Sequence, residues 1–346
     1  MKKHLFNLMA ITLLALCSCK DNTPSYSIHT ELQANYLADS YSNYSSYVNG
    51  LEDNSKPEPF KIDLVDVDIG SIITTYEDNK IVDSFTYYSA DNFTYNLYNL
   101  KIGTKYKTTF STISGDITKT IEYKIDDIAP RNLFVDGVTN CRDLGGWKID
   151  KKHRVKQGMI YRTAKYNEDE SHTLLITEKG IDTLKNTLGV KTEIDLRKTS
   201  DNENGGITSS PLGKGVRYVS YPMVSNGNVL TLNKTKLRTL FEMFAEENNY
   251  PLAFHCSIGT DRTGMVAFLL NGLLGVSKED LYRDYLFSNF GLIYSMRTAS
   301  TIDTYLTTIE SYSGKTLSEQ FYNFLKDVGV QTSTLDKIKD LMIEKY

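Results

Sequence analysis

The 346-residue chain reads as an α/β domain over residues 129–346, preceded by a small all-β sandwich over residues 60–128. Three observations carry this. Apolar residues alternate with period two between Phe60 and Asp127, whereas after Pro130 strand-like runs alternate with helical spacing. Composition also breaks at the junction: residues 20–128 hold 9 Lys, no Arg and 17 acidic residues, net −8, while residues 129–346 hold 28 basic and 26 acidic residues, net +2. Every arginine follows Pro130, whose ring favours an extended connection there.

At the N-terminus, Lys2 and Lys3 precede the apolar run from Leu5 to Leu16. The run is shorter than the roughly 20 residues of a spanning helix and ends in small residues, so it reads as a secretory signal peptide. Leu16-Cys17-Ser18-Cys19 resembles the bacterial lipobox, with Ser18 in the small position before the modified cysteine. The expectation is a signal peptide over 1–18, a lipid anchor on Cys19, and an extracytoplasmic, membrane-anchored protein. Residues 19–59 are rich in Tyr, Ser and Asn with little period and carry Pro57-Glu58-Pro59; they read as a tether.

In the sandwich, Phe93, Tyr95 and Leu97 alternate, and after the Ser114-Gly115 turn so do Ile117, Ile121, Tyr123 and Ile125. These are half-buried antiparallel strands. Leu100-Lys101-Ile102-Gly103-Thr104-Lys105-Tyr106 resembles the corner of fibronectin type III domains, with Ile102 where proline is usual. With no histidine or cysteine between Phe60 and Asp127, the expected role is spacing or protein contact. Beyond Pro130, residues 159–162, 190–196 and 216–220 are strand-like, and residues 232–248 have helical spacing. A domain of this size buries roughly 70% of its unfolded surface and needs no disulfide staples.

The net charge of −4 and pI near 5.8 exclude a duplex-wide phosphate-contacting surface, so nucleic acid is not an expected partner. No metal or other cofactor is expected: the five histidines, His4, His29, His153, His172 and His255, have no ligand-spaced partner in the chain. Glu168 to Glu170 and Glu246-Glu247 read as solvated faces.

The chemistry concentrates in Phe254-His255-Cys256-Ser257-Ile258-Gly259-Thr260-Asp261-Arg262-Thr263-Gly264, which leads into the apolar run from Met265 to Leu270. A strand runs into a tight turn and a helix begins, aiming backbone N–H groups and a helix N-terminus at one point. Gly259 permits the turn. Ser257, Ile258, Gly259, Thr260 and Arg262 are the candidate phosphate cradle, with Cys256 beneath it. The same N–H groups and the arginine charge stabilise thiolate, which makes Cys256 the expected nucleophile. A buried structural cysteine would leave Gly259, Asp261, Arg262 and Thr263 unaccounted for.

These residues resemble the cysteine-dependent phosphatases, in particular the bacterial tyrosine and lipid phosphatase family whose loop reads His-Cys-x-x-Gly-Lys-Asp-Arg-Thr-Gly. Asn140-Cys141-Arg142-Asp143-Leu144-Gly145-Gly146 is similar to that family's entry motif, and Ile160-Tyr161-Arg162-Thr163-Ala164, Ile194-Asp195-Leu196-Arg197 and Asp284-Tyr285-Leu286-Phe287-Ser288-Asn289 resemble later ones. The resemblance implies a tyrosine-phosphatase-like central sheet flanked by helices. It also implies attack by Cys256 on a phosphate monoester, on a phosphorylated protein or small molecule, through a phosphocysteine that water hydrolyses. Arg262 and the loop N–H groups would hold the equatorial oxygens.

Many relatives supply the leaving-group acid from Trp-Pro-Asp, which is absent here; Tyr221-Pro222-Met223-Val224 offers no carboxylate. Asp261 is the candidate acid, with a bracing salt bridge as the competing role and Asp195 as the fallback. His255 is expected to orient the loop or tune Cys256, Thr263 to donate to the sulfur or cap the helix, and Arg142 to support the site. Thr260 replaces the family's lysine, which weakens a preference for phosphoinositides or other polyphosphates. Cys141 replaces an aromatic residue; a passive core thiol is the simpler reading and a reversible disulfide with Cys256 the sharper one. The alternatives are a phytase-like inositol phosphate phosphatase, an inactive phosphate-binding lipoprotein with the β-domain as its working part, and a sulfurtransferase, against which the Arg-Thr-Gly ending counts.

Overall fold

The structure, a computed structural model, describes residues 22–88, 93–167 and 175–346. The predicted signal peptide, Cys17, the candidate anchor Cys19, Glu168 to Glu170 and His172 lie outside the described residues.

The described residues start with β1 (Ser25–Tyr26) and α1 (Glu31–Ala38), the latter closed at its N-terminus by a Thr30–Gln33 capping box. The all-β unit follows: β2 (Phe60–Asp63), β3 (Ile72–Glu77), β4 (Lys80–Thr86), β5 (Thr94–Leu97), β6 (Lys105–Ser111) and β7 (Ile117–Ile125). One sheet has the order β1-β7-β6-β3-β4, and β2 pairs with β5 in the other. Ile62, Ile73, Tyr106, Phe110, Tyr123 and Ile125 form the core between them, and Phe60 stacks on Tyr123 with ring centroids 3.6 Å apart. The Tyr106 hydroxyl accepts the Lys101 N–H at 2.8 Å, the corner contact of such sandwiches.

The sequence reading of 19–59 as a tether differs from what is seen over its described part. β1 completes the first sheet, and α1 with the 3₁₀ turn Tyr41–Ser46 packs on the α/β domain. The tyrosines that look like low-complexity spacer are the reason. Tyr36 is fully buried beside Phe287 and Phe290, and Tyr41 stacks on Tyr282 at 4.5 Å.

In the α/β unit come β8 (Arg142–Asp143), β9 (His153–Val155), β10 (Ile160–Thr163), α2 (Glu178–Asp182), β11 (Thr192–Asp195), β12 (Arg217–Ser220), α3 (Val229–Leu232), α4 (Lys234–Ala245), β13 (Leu252–His255), α5 (Asp261–Leu274), α6 (Lys278–Leu286), α7 (Ser300–Glu310), α8 (Leu317–Asp327), α9 (Thr332–Met342) and β14 (Ile343–Lys345). The central sheet runs β12-β11-β13-β10-β8, parallel except for β8. The helical pattern over 232–248 resolves into α3 and α4, broken at Asn233, whose side chain bonds the Val224 and Val229 backbone instead.

Strand β13 is buried at all four residues, as a central parallel strand must be, and α5 buries every residue from Arg262 to Leu274. Gly275, left-handed with φ 98°, ends α5. The two units meet where Ile102, fully buried, donates its N–H to Gln157 Oε1 at 3.0 Å. Among the described residues no helix is long and apolar enough to cross a membrane.

Candidate active site

Strand β13 lies between β10 and β11 and delivers Cys256 at the carboxyl edge of the sheet; α5 starts at Asp261. Gly259 has φ 70°, and a Cβ on it would stand 2.6 Å from the Thr163 carbonyl oxygen, so only glycine fits between the loop and β10. The loop's carbonyls are held by its neighbours. Lys165 N–H donates to Ser257 O at 3.2 Å, Asn140 Nδ2 to Ile258 O at 3.0 Å, and Arg162 Nη2 to Gly259 O at 3.0 Å. Among the described residues no acceptor takes the N–H groups of Ser257, Ile258, Gly259 or Thr260. Unmet donors at a helix N-terminus make an anion site.

Arg262 is buried at the loop's end. Its Nη1 donates to Leu196 O and to Glu203 Oε2, both at 3.1 Å, and its Nη2 pairs with Glu203 Oε1. Its Nε is buried with no partner among the described residues, a guanidinium N–H left for an oxyanion. Burial alone would lower the Arg262 pKa, but the charges of Cys256 and Glu203 raise it. Glu203 also accepts from Ser257 Oγ at 3.2 Å and Lys198 N–H at 3.0 Å. Burial pushes its carboxyl up, yet the Arg262 bonds outweigh this and the net shift is down.

Asp261 does not brace Arg262. Both its oxygens accept from Arg297, through Nε and Nη2, each at 2.8 Å. In this geometry both carboxylate oxygens act as acceptors. Asp195 is fully buried and chelated by its own neighbour: Oδ1 accepts Arg197 N–H and Nε at 2.9 Å, and Oδ2 accepts Arg197 Nη2 at 2.7 Å and the Tyr218 hydroxyl at 3.0 Å. Burial acts upward on its pKa, but His255 and Arg197 bring it below the ordinary value. As a fallback proton donor it therefore fails: it stays ionised and walled off. Asp261, Asp195 and Glu203 are thus each bound to an arginine.

His255, fully buried, sets Nε2 3.0 Å from Glu193 Oε1 and Nδ1 3.2 Å from the Cys256 carbonyl, which fixes the residue beside Cys256. The register of β11 with β13 places Asp195 opposite His255, so Glu193, Asp195 and His255 converge with their potential ligand atoms within 4.8 Å. Spacing along one chain segment could not reveal this group, and it corrects the expectation that His255 lacks such partners. Its members are engaged with Ser210, Arg197, Tyr218 and each other.

The Thr263 hydroxyl is buried with no partner among the described residues; it neither bonds the sulfur nor caps α5. Thr260 is fully buried, its hydroxyl taken by Asn140 Nδ2 at 3.2 Å. Arg142 stands behind the loop rather than in it. With Arg162 it embraces buried Asp284, Arg142 Nε lying 3.0 Å from Asp284 Oδ1 and Arg162 Nη1 pairing with Oδ2. Burial and the Arg142 charge pull Arg162 down to about 10, with Asp284 opposing. The Cys141 thiol is buried over the carbonyls of Val138 and Thr139, and burial raises its pKa well above the usual thiol value. Burial and these contacts accord with the simpler reading, a core thiol.

Residues 133–346 match the tyrosine phosphatase family. A Cupriavidus necator protein named as a tyrosine-protein phosphatase is 26% identical over 183 residues, 46% of this chain and 63% of that one. A Nostoc commune tyrosine-protein phosphatase is 30% identical over 134 residues, 39% of this chain and 40% of that one. The chain therefore spans less than two thirds of either relative's length. Among solved structures, the core catalytic domain of the PP-IP phosphatase SIW14 from S. cerevisiae, in complex with citrate, has a TM-score of 0.31 at 18% identity, covering 43% of this chain and 81% of its own. P. aeruginosa TpbA in complex with pTyr has a TM-score of 0.30 at 22% identity, covering 43% and 80%.

Proposed function

Because the chain belongs to the tyrosine phosphatase family, we propose that it hydrolyses phosphate monoesters, phosphotyrosine foremost, through a phosphocysteine on Cys256. The observation that carries this is the set of unmet donors at one point: the N–H groups of residues 257–260 and Arg262 Nε, at a helix N-terminus beside a thiol. A tetrahedral dianion meets all of them. Sulfur attacks phosphorus, the ester oxygen leaves, and water then cleaves the P–S bond to release phosphate and return the thiolate. The donors stabilise charge on the equatorial oxygens in both steps.

The arginine-bound state of Asp261, Asp195 and Glu203 supports an aryl leaving group. A tyrosine phenol has a pKa near 10 and departs with less help from an acid than an alkyl alcohol does. Thr260, buried in the loop, adds no cation for a second phosphate and disfavours inositol polyphosphates. A panel of phosphotyrosine peptide, phosphoserine peptide, phosphoinositide and inositol hexakisphosphate tests the reading. Turnover should be fastest on phosphotyrosine. Preference for the hexakisphosphate would favour the phytase-like alternative, and phosphate binding without turnover the inactive one.

The cell context proposed is a lipoprotein outside the cytoplasm, anchored at Cys19, with a fibronectin type III-like domain over 60–128. The lipobox-like residues and the Tyr106–Lys101 corner support these two assignments. Only residues 20–24 separate Cys19 from β1, a reach of under about 20 Å, so such an anchor would hold the body close to the membrane. Intact-mass measurement of membrane-extracted protein checks the anchor.

A further inference from the structure

We infer that the arm before the sandwich, residues 30–55, is a working part of the catalytic unit, and that Asp53 and Ser55 are positioning residues for the phosphate loop. The inference rests on the phosphatase reading for what the loop does, but its contacts stand on their own. The arm lies outside the family-matched residues 133–346 and is separated from them by the whole sandwich.

Two chains of contact run from the arm to the loop. In the first, Asp53 Oδ1 accepts from the Thr139 hydroxyl at 2.8 Å and from the Ser55 hydroxyl at 2.6 Å. Ser55 Oγ in turn accepts the Asn140 N–H at 3.0 Å. Asn140 sits in the left-handed region, φ 57°, and its Nδ2 reaches Ile258 O and Thr260 Oγ1. The arm thus fixes the backbone of the residue that holds two members of the cradle.

In the second chain, the Gly50 carbonyl accepts the Ile293 and Tyr294 N–H groups at 2.9 and 2.8 Å, and Asn54 N–H donates to Phe290 O at 2.6 Å. Gly50 is left-handed, φ 77°, and a Cβ there would meet Ile293 Cγ1 at 2.6 Å. The segment so held carries Arg297, whose main chain is gripped by Asn289 and whose side chain clamps Asp261. Thr139 joins the chains: its hydroxyl donates to Asp53 and accepts the Leu292 N–H at 3.0 Å. Gln33, fully buried, ties the arm back on itself through Asn54 O and Lys56 O. Hydrogen bonds made at both ends of so short a path leave the cradle little freedom, which is what transition-state binding requires.

The test uses the full chain carrying Asp53→Asn, Ser55→Ala, both together, or Ser55→Thr, which keeps the hydroxyl. Amide hydrogen exchange of residues 257–264 is read alongside the inhibition constant of orthovanadate and kcat/KM on an aryl phosphate. In the double variant, loop exchange should speed about five- to tenfold, as for one or two lost hydrogen bonds, while β6 and α8 keep wild-type exchange; orthovanadate affinity and kcat/KM should fall by a similar factor. Ser55→Thr should keep wild-type values. Unchanged loop exchange in the double variant, or an increase spread evenly over the domain, would overturn the positioning role. Exchange needs no turnover, so a failure of the phosphatase reading shows separately as an inactive wild type.

Discussion

Glu203 holds both terminal nitrogens of Arg262 and leaves Arg262 Nε as a buried N–H without a partner among the described residues. A half-buried carboxylate 59 residues before Arg262 therefore sets the plane of the guanidinium that would meet a phosphate. Glu203→Gln keeps the shape and removes the charge. The expected outcome is a fall in kcat/KM of about ten- to a hundredfold with the melting temperature nearly unchanged, as for small misplacements of a positioned group. Steady-state kinetics on an aryl phosphate with parallel calorimetry checks it.

Asp261 is bound by Arg297 rather than poised over the cradle, so Asp261→Asn tests brace against acid. A brace predicts the same loss with a good and a poor leaving group, since the loop is loosened for both. A loss that grows steeply as the leaving-group pKa rises would assign Asp261 the proton and require Arg297 to let go during turnover.

Asp284 compensates two buried arginines at once. In Asp284→Asn, Arg142 and Arg162 lose their countercharge behind the loop, and the expected cost is about 3–5 kcal/mol of folding stability. Urea unfolding reads it as a lower midpoint at an unchanged slope.

The pH dependence of stability should fall in two stages. Burial lowers the pKa of His29, against the opposing pull of the Pro130 carbonyl and Asp126, so below about pH 6.5 the unfolded chain gains a proton that the folded one refuses. Stability present above that pH is lost as pH falls through the folded value. Asp195 and Asp284 have folded pKa values below their unfolded ones; their contribution holds above about pH 4 and is lost at lower pH. Melting temperatures between pH 8 and 3 check both stages. His29→Gln should remove the first and spare the second.

Much of the α/β unit was legible because its signals are local. The turn at Gly259, the strand before it and the apolar helix after it lie in one stretch, and Asp284 and Arg162 fall in motifs that carry the family resemblance. What escaped depends on the topology. Glu203 and Arg297 meet the loop only once β11, β13 and the segment after α6 are in place, and nothing about an isolated glutamate among Asn202, Asn204 and Gly205 marks it. The His255–Glu193 contact needs the register of two strands. The arm is illegible in the sequence for a different reason. Its tyrosines lack helical or strand period because they pack singly, Tyr36 against Phe290 and Tyr41 against Tyr282, on a surface formed some 240 residues later.

The most direct measurement of the central chemistry is acid quenching of the full chain during turnover of an aryl phosphate, followed by peptide mass spectrometry. Phosphate should be found on the peptide containing Cys256, and Cys256→Ser should lose turnover by at least about a thousandfold while still binding orthovanadate. Turnover that continues in Cys256→Ser, or that proceeds with no phosphate ever found on Cys256, would contradict it.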